Sequence, residues 1–137
     1  MPNFRDTQSL YQWVEDKLDH LTEAGKDAIR EGAKEGEALT KEHIQTRGTP
    51  KSGKQGRIET GRMLNAVTSR VEKDTDTEIE AAFGWLDDRE NYFALQEGGF
   101  THVSGVTVEG MFALSDAGEE VARQITRKIG SAVKDAL

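Results

Sequence analysis

The stretch Ala66-Val67-Thr68-Ser69-Arg70-Val71-Glu72, then Lys73-Asp74-Thr75-Asp76, then Thr77-Glu78-Ile79-Glu80-Ala81-Ala82-Phe83-Gly84 decides the fold. Apolar and polar side chains alternate on both sides of a polar break. Successive side chains of a strand point to opposite faces, so Val67, Ser69 and Val71 share one face of the first run. Ile79, Ala81 and Phe83 share one face of the second. The break is rich in Asp and Thr, whose side chains hydrogen-bond to nearby backbone and favour turns. The pair reads as an antiparallel hairpin with strands at 66–72 and 77–84.

Upstream, Thr7–Thr46 reads as one long helix. Leu10, Trp13, Val14, Leu18, Leu21, Ala24, Ala28 and Ile29 recur at helical spacing and make an apolar stripe. Asp6 or Thr7 has the side-chain oxygen needed to cap its first turn. Phe4 and Trp13 are expected in the core. Further on the stripe thins to Gly32, Ala33, Gly36 and Leu39. Each interior Gly costs about 1 kcal/mol relative to Ala. The small residues either permit close packing or mark a bend at 32–36, and the bend is the preferred expectation.

Residues 48–56 are a run of turn formers, and a helical turn is expected at 61–64. Residues 91–96 read as a third strand or extended segment. Residues 100–108 alternate well enough for a ribbon interrupted at Gly105. A closing helix at 115–136 carries the stripe Ala117, Val121, Ile125, Ile129, Ala132 and Val133. Strands between two flanking helices imply an α+β fold, a small antiparallel sheet packed against a long N-terminal helix and a C-terminal helix. One domain over 1–137 is expected, with a mobile basic, glycine-rich loop at 47–60.

Only 35% of the residues are hydrophobic while 31% are charged, so the core is thin. A polar yet periodic chain of this kind is expected to complete its core against copies of itself. No cysteine is present, which excludes disulfides and thiolate metal sites. The segment Met1-Pro2-Asn3-Phe4-Arg5-Asp6 lacks the basic and apolar regions of a signal peptide, and no apolar run approaches the length of a membrane span. The reading is a soluble chain made in the cytoplasm, with no membrane association.

The net charge of −7 argues against a general nucleic-acid binder. Its distribution is uneven. Residues 47–70 contain Arg47, Lys51, Lys54, Arg57, Arg62 and Arg70 against Glu59 alone, a net +5 that leaves −12 elsewhere. The window reads either as a solvated loop or as a basic arm towards an acidic neighbour or nucleic acid.

Catalytic signatures fail on inspection. Residues 48–55 match the spacing of a phosphate-binding loop, but Gln55 stands where a Ser or Thr would hold Mg²⁺. An apolar strand before the loop is also missing, so its backbone would have no scaffold. His20, His43 and His102 lack ligand spacing. The run Asp87-Asp88-Arg89-Glu90 lacks the pattern of a hard-cation loop, and no Ser/His/Asp set carries a local signature. The expectation is no enzyme, no cofactor and no metal. Trp85, Tyr92 and Phe93 flank the acidic run as core residues, loop anchors or subunit contacts; aromatics are enriched at interface hot spots.

The segment Arg57-Ile58-Glu59-Thr60-Gly61-Arg62-Met63-Leu64-Asn65-Ala66-Val67 resembles a recurring element of tailed-phage proteins. Tyr92-Phe93-Ala94-Leu95-Gln96-Glu97-Gly98-Gly99 is similar to an aromatic–Glu–Gly turn of the same proteins, and Gly110-Met111-Phe112-Ala113-Leu114-Ser115-Asp116-Ala117 to their entry into a last helix. Each motif is short; their order and spacing carry the resemblance, which is to the neck and tail-completion family of long-tailed phages, also labelled head–tail joining or minor tail proteins. Val103-Ser104-Gly105-Val106 replaces the usual proline-rich stretch, and Gly98-Gly99 lacks the common following Thr.

The resemblance implies a non-enzymatic virion subunit in a homo-oligomeric ring at the head–tail junction, made in the cytoplasm of a host bacterium. Its partners would be neighbouring neck and tail proteins, with DNA passing through the lumen without sequence-specific binding. A closed ring, of six copies by expectation, needs two different surfaces on each subunit. The expected contact residues are Lys51, Lys54, Arg57, Arg62, Trp85, Asp87, Asp88, Tyr92, Phe93 and Glu97, with one surface at 85–99 and the other on the long helix beyond Gly32. The alternative is a small nucleic-acid-binding module using residues 47–70.

Overall fold

A computed structural model describes residues 6–47, 61–87, 91–101, 103–105 and 107–136, with backbone alone at Asn91, Tyr92 and Val108. Helix α1 spans Thr7–Thr46, α2 Arg62–Asn65, strand β1 Thr68–Asp74, β2 Ile79–Gly84, α3 Asn91–Gly98, β3 Gly99–Thr101, β4 Thr107–Glu109 and α4 Ala113–Ala136. The architecture is α+β. Apart from Arg47, the loop placed at 47–60 lies outside the described residues, as does Phe4.

Helix α1 begins where Asp6 accepts a hydrogen bond from the Ser9 amide at 2.7 Å, satisfying one of the free N–H groups of the first turn. It then runs without a break through Gly32 and Gly36. Close packing, and not a bend, is what the two glycines serve. A Cβ on Gly36 would stand 2.4 Å from the Phe83 ring, and one on Gly32 would stand 2.7 Å from Ile125 Cδ1. The missing side chains let β2 approach one part of the helix and α4 another.

Helix α4 runs antiparallel to α1. The Ala113 carbonyl at its start accepts from His43 Nδ1 (3.1 Å), and farther along Lys128 reaches Glu31 at 2.6 Å. Ala113, Ala117 and Val121 are buried, whereas Ile129 and Val133 stay partly exposed, at 39% and 40%. The hairpin lies on α1, and α4 meets it near its first turn, where Leu114 sits beside Gly84.

Strands β1 and β2 pair antiparallel with Ser69 opposite Phe83 and Val71 opposite Ala81, sharing the expected face. Strand β1 sits two residues later than the sequence pattern suggests, whereas β2 starts two residues later and ends at the expected Gly84; the turn falls at 75–78, closed by the Thr75 amide on the Glu78 carbonyl. A bulge between Val71 and Lys73 then reverses the parity of β1, so Asp74 pairs with Ile79 and turns towards α1. Val67 lies ahead of the strand, in a separate cluster with Ile44, Met63, Phe93, Met111 and Ala113. Val71 is 45% exposed.

Residues 91–96 are helix, not strand. Phe93 and Gln96 are buried while Ala94 and Leu95 between them are exposed, a spacing of three that a strand cannot produce. Strands β3 and β4 form a second two-stranded sheet of their own. The backbone then returns to α3: the Met111 amide donates to the Gln96 carbonyl and the Phe112 amide to that of Glu97. Gly110 permits this approach, because a Cβ there would lie 2.6 Å from the Glu97 carbonyl oxygen.

Candidate functional site

The residues expected at an interface divide into three groups. Lys51, Lys54, Arg57 and Asp88 lie outside the described residues, and the side chain of Tyr92 is likewise not described. Arg62 and Asp87 are exposed. Trp85, Phe93 and Glu97 have defined work inside the subunit.

Phe93 is a core residue, 3% exposed. Its ring lies 5.5 Å from that of Trp85 in a tilted arrangement, a favourable aromatic geometry. Trp85 is half-buried and donates from Nε1 to the Met63 carbonyl at 2.9 Å. The two aromatics thus fasten the segment after β2 to α2 and α3. Asp87 accepts from Arg70 at 2.7 Å, and Arg70 also pairs with Glu72. These two carboxylates, Asp87 first, raise the already high pKa of the guanidinium.

Glu97 caps α4 from a distance. Its carboxylate accepts from the Leu114 amide (2.9 Å), the Ser115 amide (2.8 Å) and the Ser115 hydroxyl (2.8 Å). The residue ahead of the helix, Phe112, has no side-chain oxygen and sits at φ 49°, a conformation that is strained for a non-glycine residue. Arg47 holds the same corner, donating to the Met111 carbonyl and to Asp116, both within 2.7 Å.

The second surface expected on α1, beyond Gly32, is occupied within the subunit. Gly32, Ala33, Gly36, Thr40 and Ile44 are all buried, so the thin stripe is the covered one. Small residues give a thin hydrophobic signal yet allow the closest packing. The uncovered part is the N-terminal end, where Leu10 and Val14 are each 38% exposed, Leu18 57% and Tyr11 65%. Leu10, Val14, Leu18 and Leu21 lie on the same helical face as Ala28 and Gly32. Trp13, alongside, is half-buried with Lys17 Nζ 5.9 Å from its ring centroid.

The cause is a mismatch of length. Helix α1 has 40 residues and α4 has 24. The C-terminal turns of α4 lie level with His20, which lines a shallow hollow with Arg127, Lys128, Ser131, Ala132 and Asp135. About a dozen residues of α1, about 18 Å at 1.5 Å per residue, extend past that level. Sequence reasoning missed this site, although the two helix lengths were readable.

Among the described residues no group of three His, Asp or Glu side chains is arranged to hold a metal ion. No helix among them is long and apolar enough to cross a membrane. Residues 48–55, with their phosphate-loop spacing, and His102 lie outside the described residues. Comparison with family models, curated proteins and solved structures gave no match.

Proposed function

We propose that the chain is a virion structural protein of a long-tailed phage, made in the host bacterium's cytoplasm and assembled as a homo-oligomeric ring, six copies in the simplest case, between the capsid connector and the tail. The ordered resemblance across residues 57–117 suggests the family. The observation that carries the assembly part is the uncovered apolar end of α1, with Leu10, Tyr11, Val14 and Leu18 exposed on one projecting helix. Such a face gains free energy when a neighbour removes it from water. The ring joins particles by docking and conducts DNA without reading its sequence.

Deletion of the gene from the phage tests the proposal. The expected result is unjoined full heads and tails, restored to infectious particles by adding the purified chain. Normal virions from the deletion strain would overturn it. Tight binding of the purified chain to duplex DNA, weakening steeply with salt, would favour the nucleic-acid module instead.

A further inference from the structure

The projecting end of α1 has a face to cover, and the charges on the described surface indicate what covers it. Over residues 6–24, Asp6, Glu15, Asp16, Asp19 and Glu23 stand against Lys17, a net −4. Over residues 121–136, Arg123, Arg127, Lys128 and Lys134 stand against Asp135, a net +3. This second half of α4 also carries the exposed apolar residues Ile129 and Val133. Arg123 and Arg127 already pair with Glu120, and Lys128 with Glu31, at the surface, where such pairs are weak and leave the net field in place.

We infer that the projecting end of α1 docks on the C-terminal half of α4 of a second copy of this chain, with Leu10, Val14 and Leu18 against Ile129 and Val133. Two projecting ends packed on each other would juxtapose −4 with −4, so charge opposes the symmetric dimer. The end-to-α4 contact joins opposite charges and buries apolar surface from both sides. It uses two different patches on each subunit, which is the head-to-tail geometry that closes into a ring or continues as a filament. One helix face of this length covers far less than the roughly 800 Å² per partner of a stable interface. A single contact is therefore weak, and closure of the ring supplies the effective concentration that holds it. The inference deepens the ring reading by naming the surfaces through which copies meet.

The chain has no cysteine, which makes site-directed cross-linking the test. Purified full-length Val14→Cys and Val133→Cys variants, mixed and treated with a short bis-maleimide, are expected to cross-link faster than either variant alone. Adding Leu18→Glu to the Val14→Cys partner is expected to lower the yield about ten-fold. Its helical circular dichroism should stay unchanged, because Leu18 is exposed. Equal cross-linking of Val14→Cys with itself would show the symmetric contact and overturn the inference. So would mixed cross-linking no faster than that of Glu42→Cys, an exposed site elsewhere on α1. Specific cross-linking by a chain missing from virions would sink the neck reading while leaving this contact standing; presence at the neck without the cross-link would do the reverse.

Discussion

Lys26 Nζ donates to Asp74 Oδ1 at 2.7 Å and also to the Thr75 carbonyl, tying the middle of α1 to the tip of the hairpin. Lys26 is 8% exposed, so its ammonium depends on those two acceptors. Arg30 reaches the other oxygen of Asp74 at 2.8 Å. Asp74 faces α1 only because the bulge after Val71 shifts the parity of β1. Asp74→Asn should therefore destabilise the chain more than Lys26→Met. The first leaves a buried cation without its anion, whereas the second removes the cation and leaves Asp74 with Arg30. Urea midpoints compare the two, and an equal or opposite ranking would show that the ammonium is not held as described.

The same group gives a pH dependence. Hydrogen bonds from Lys26, then from Arg30, hold the Asp74 carboxyl below its ordinary pKa of 3.8. A carboxyl depressed in the folded state stabilises above its unfolded pKa, and that contribution fades as pH falls through the folded value. Stability should accordingly fall on acidification below about pH 4. Asp74→Asn should flatten part of that decline, leaving the share of Glu31 and Glu120, which Lys128 and Arg123 depress in the same direction. Unfolding midpoints at a series of pH values check the slope.

Gly36 and Gly25 should respond oppositely to alanine. At Gly36 the new Cβ meets the Phe83 ring, and overpacking of this kind costs about 1–3 kcal/mol. Nothing lies within 4 Å of a Cβ at Gly25, so Gly25→Ala should stabilise by up to about 1 kcal/mol through helix propensity. Thermal unfolding of the two variants distinguishes close packing from mere tolerance of glycine.

Ile44 is fully buried and Leu18 is 57% exposed. Ile44→Ala should cost about 2–5 kcal/mol, whereas Leu18→Ala in the isolated chain should stay within about 0.5 kcal/mol. Equal losses in chemical denaturation would mean that the end of α1 is covered within the subunit.

Removing the distant cap should loosen α4 from its first turn. Glu97→Ala leaves the Leu114 and Ser115 amides without their carboxylate acceptor, a loss of about 1 kcal/mol by the measure of other helix caps. Faster hydrogen exchange at those two amides, with little change near Val121, is the expected pattern.

The sequence by itself determined the long and closing helices, the short turn of α2, the first hairpin and the face that its strands share. All of these depend on periodicity over neighbouring residues. Residues 91–96 read as extended because Tyr92 and Phe93 weigh towards a strand locally, while the cluster that buries Phe93 from a helix comes from Ile44, Met63 and Met111 elsewhere. Only the tertiary structure decided that Glu97 caps α4, that Phe93 belongs to the core, and that the glycine-thinned half of α1 is covered while its apolar-rich beginning is exposed. Periodicity tells which face of a helix seeks cover. What covers it depends on where a distant helix starts and ends along it, and on how closely two backbones approach.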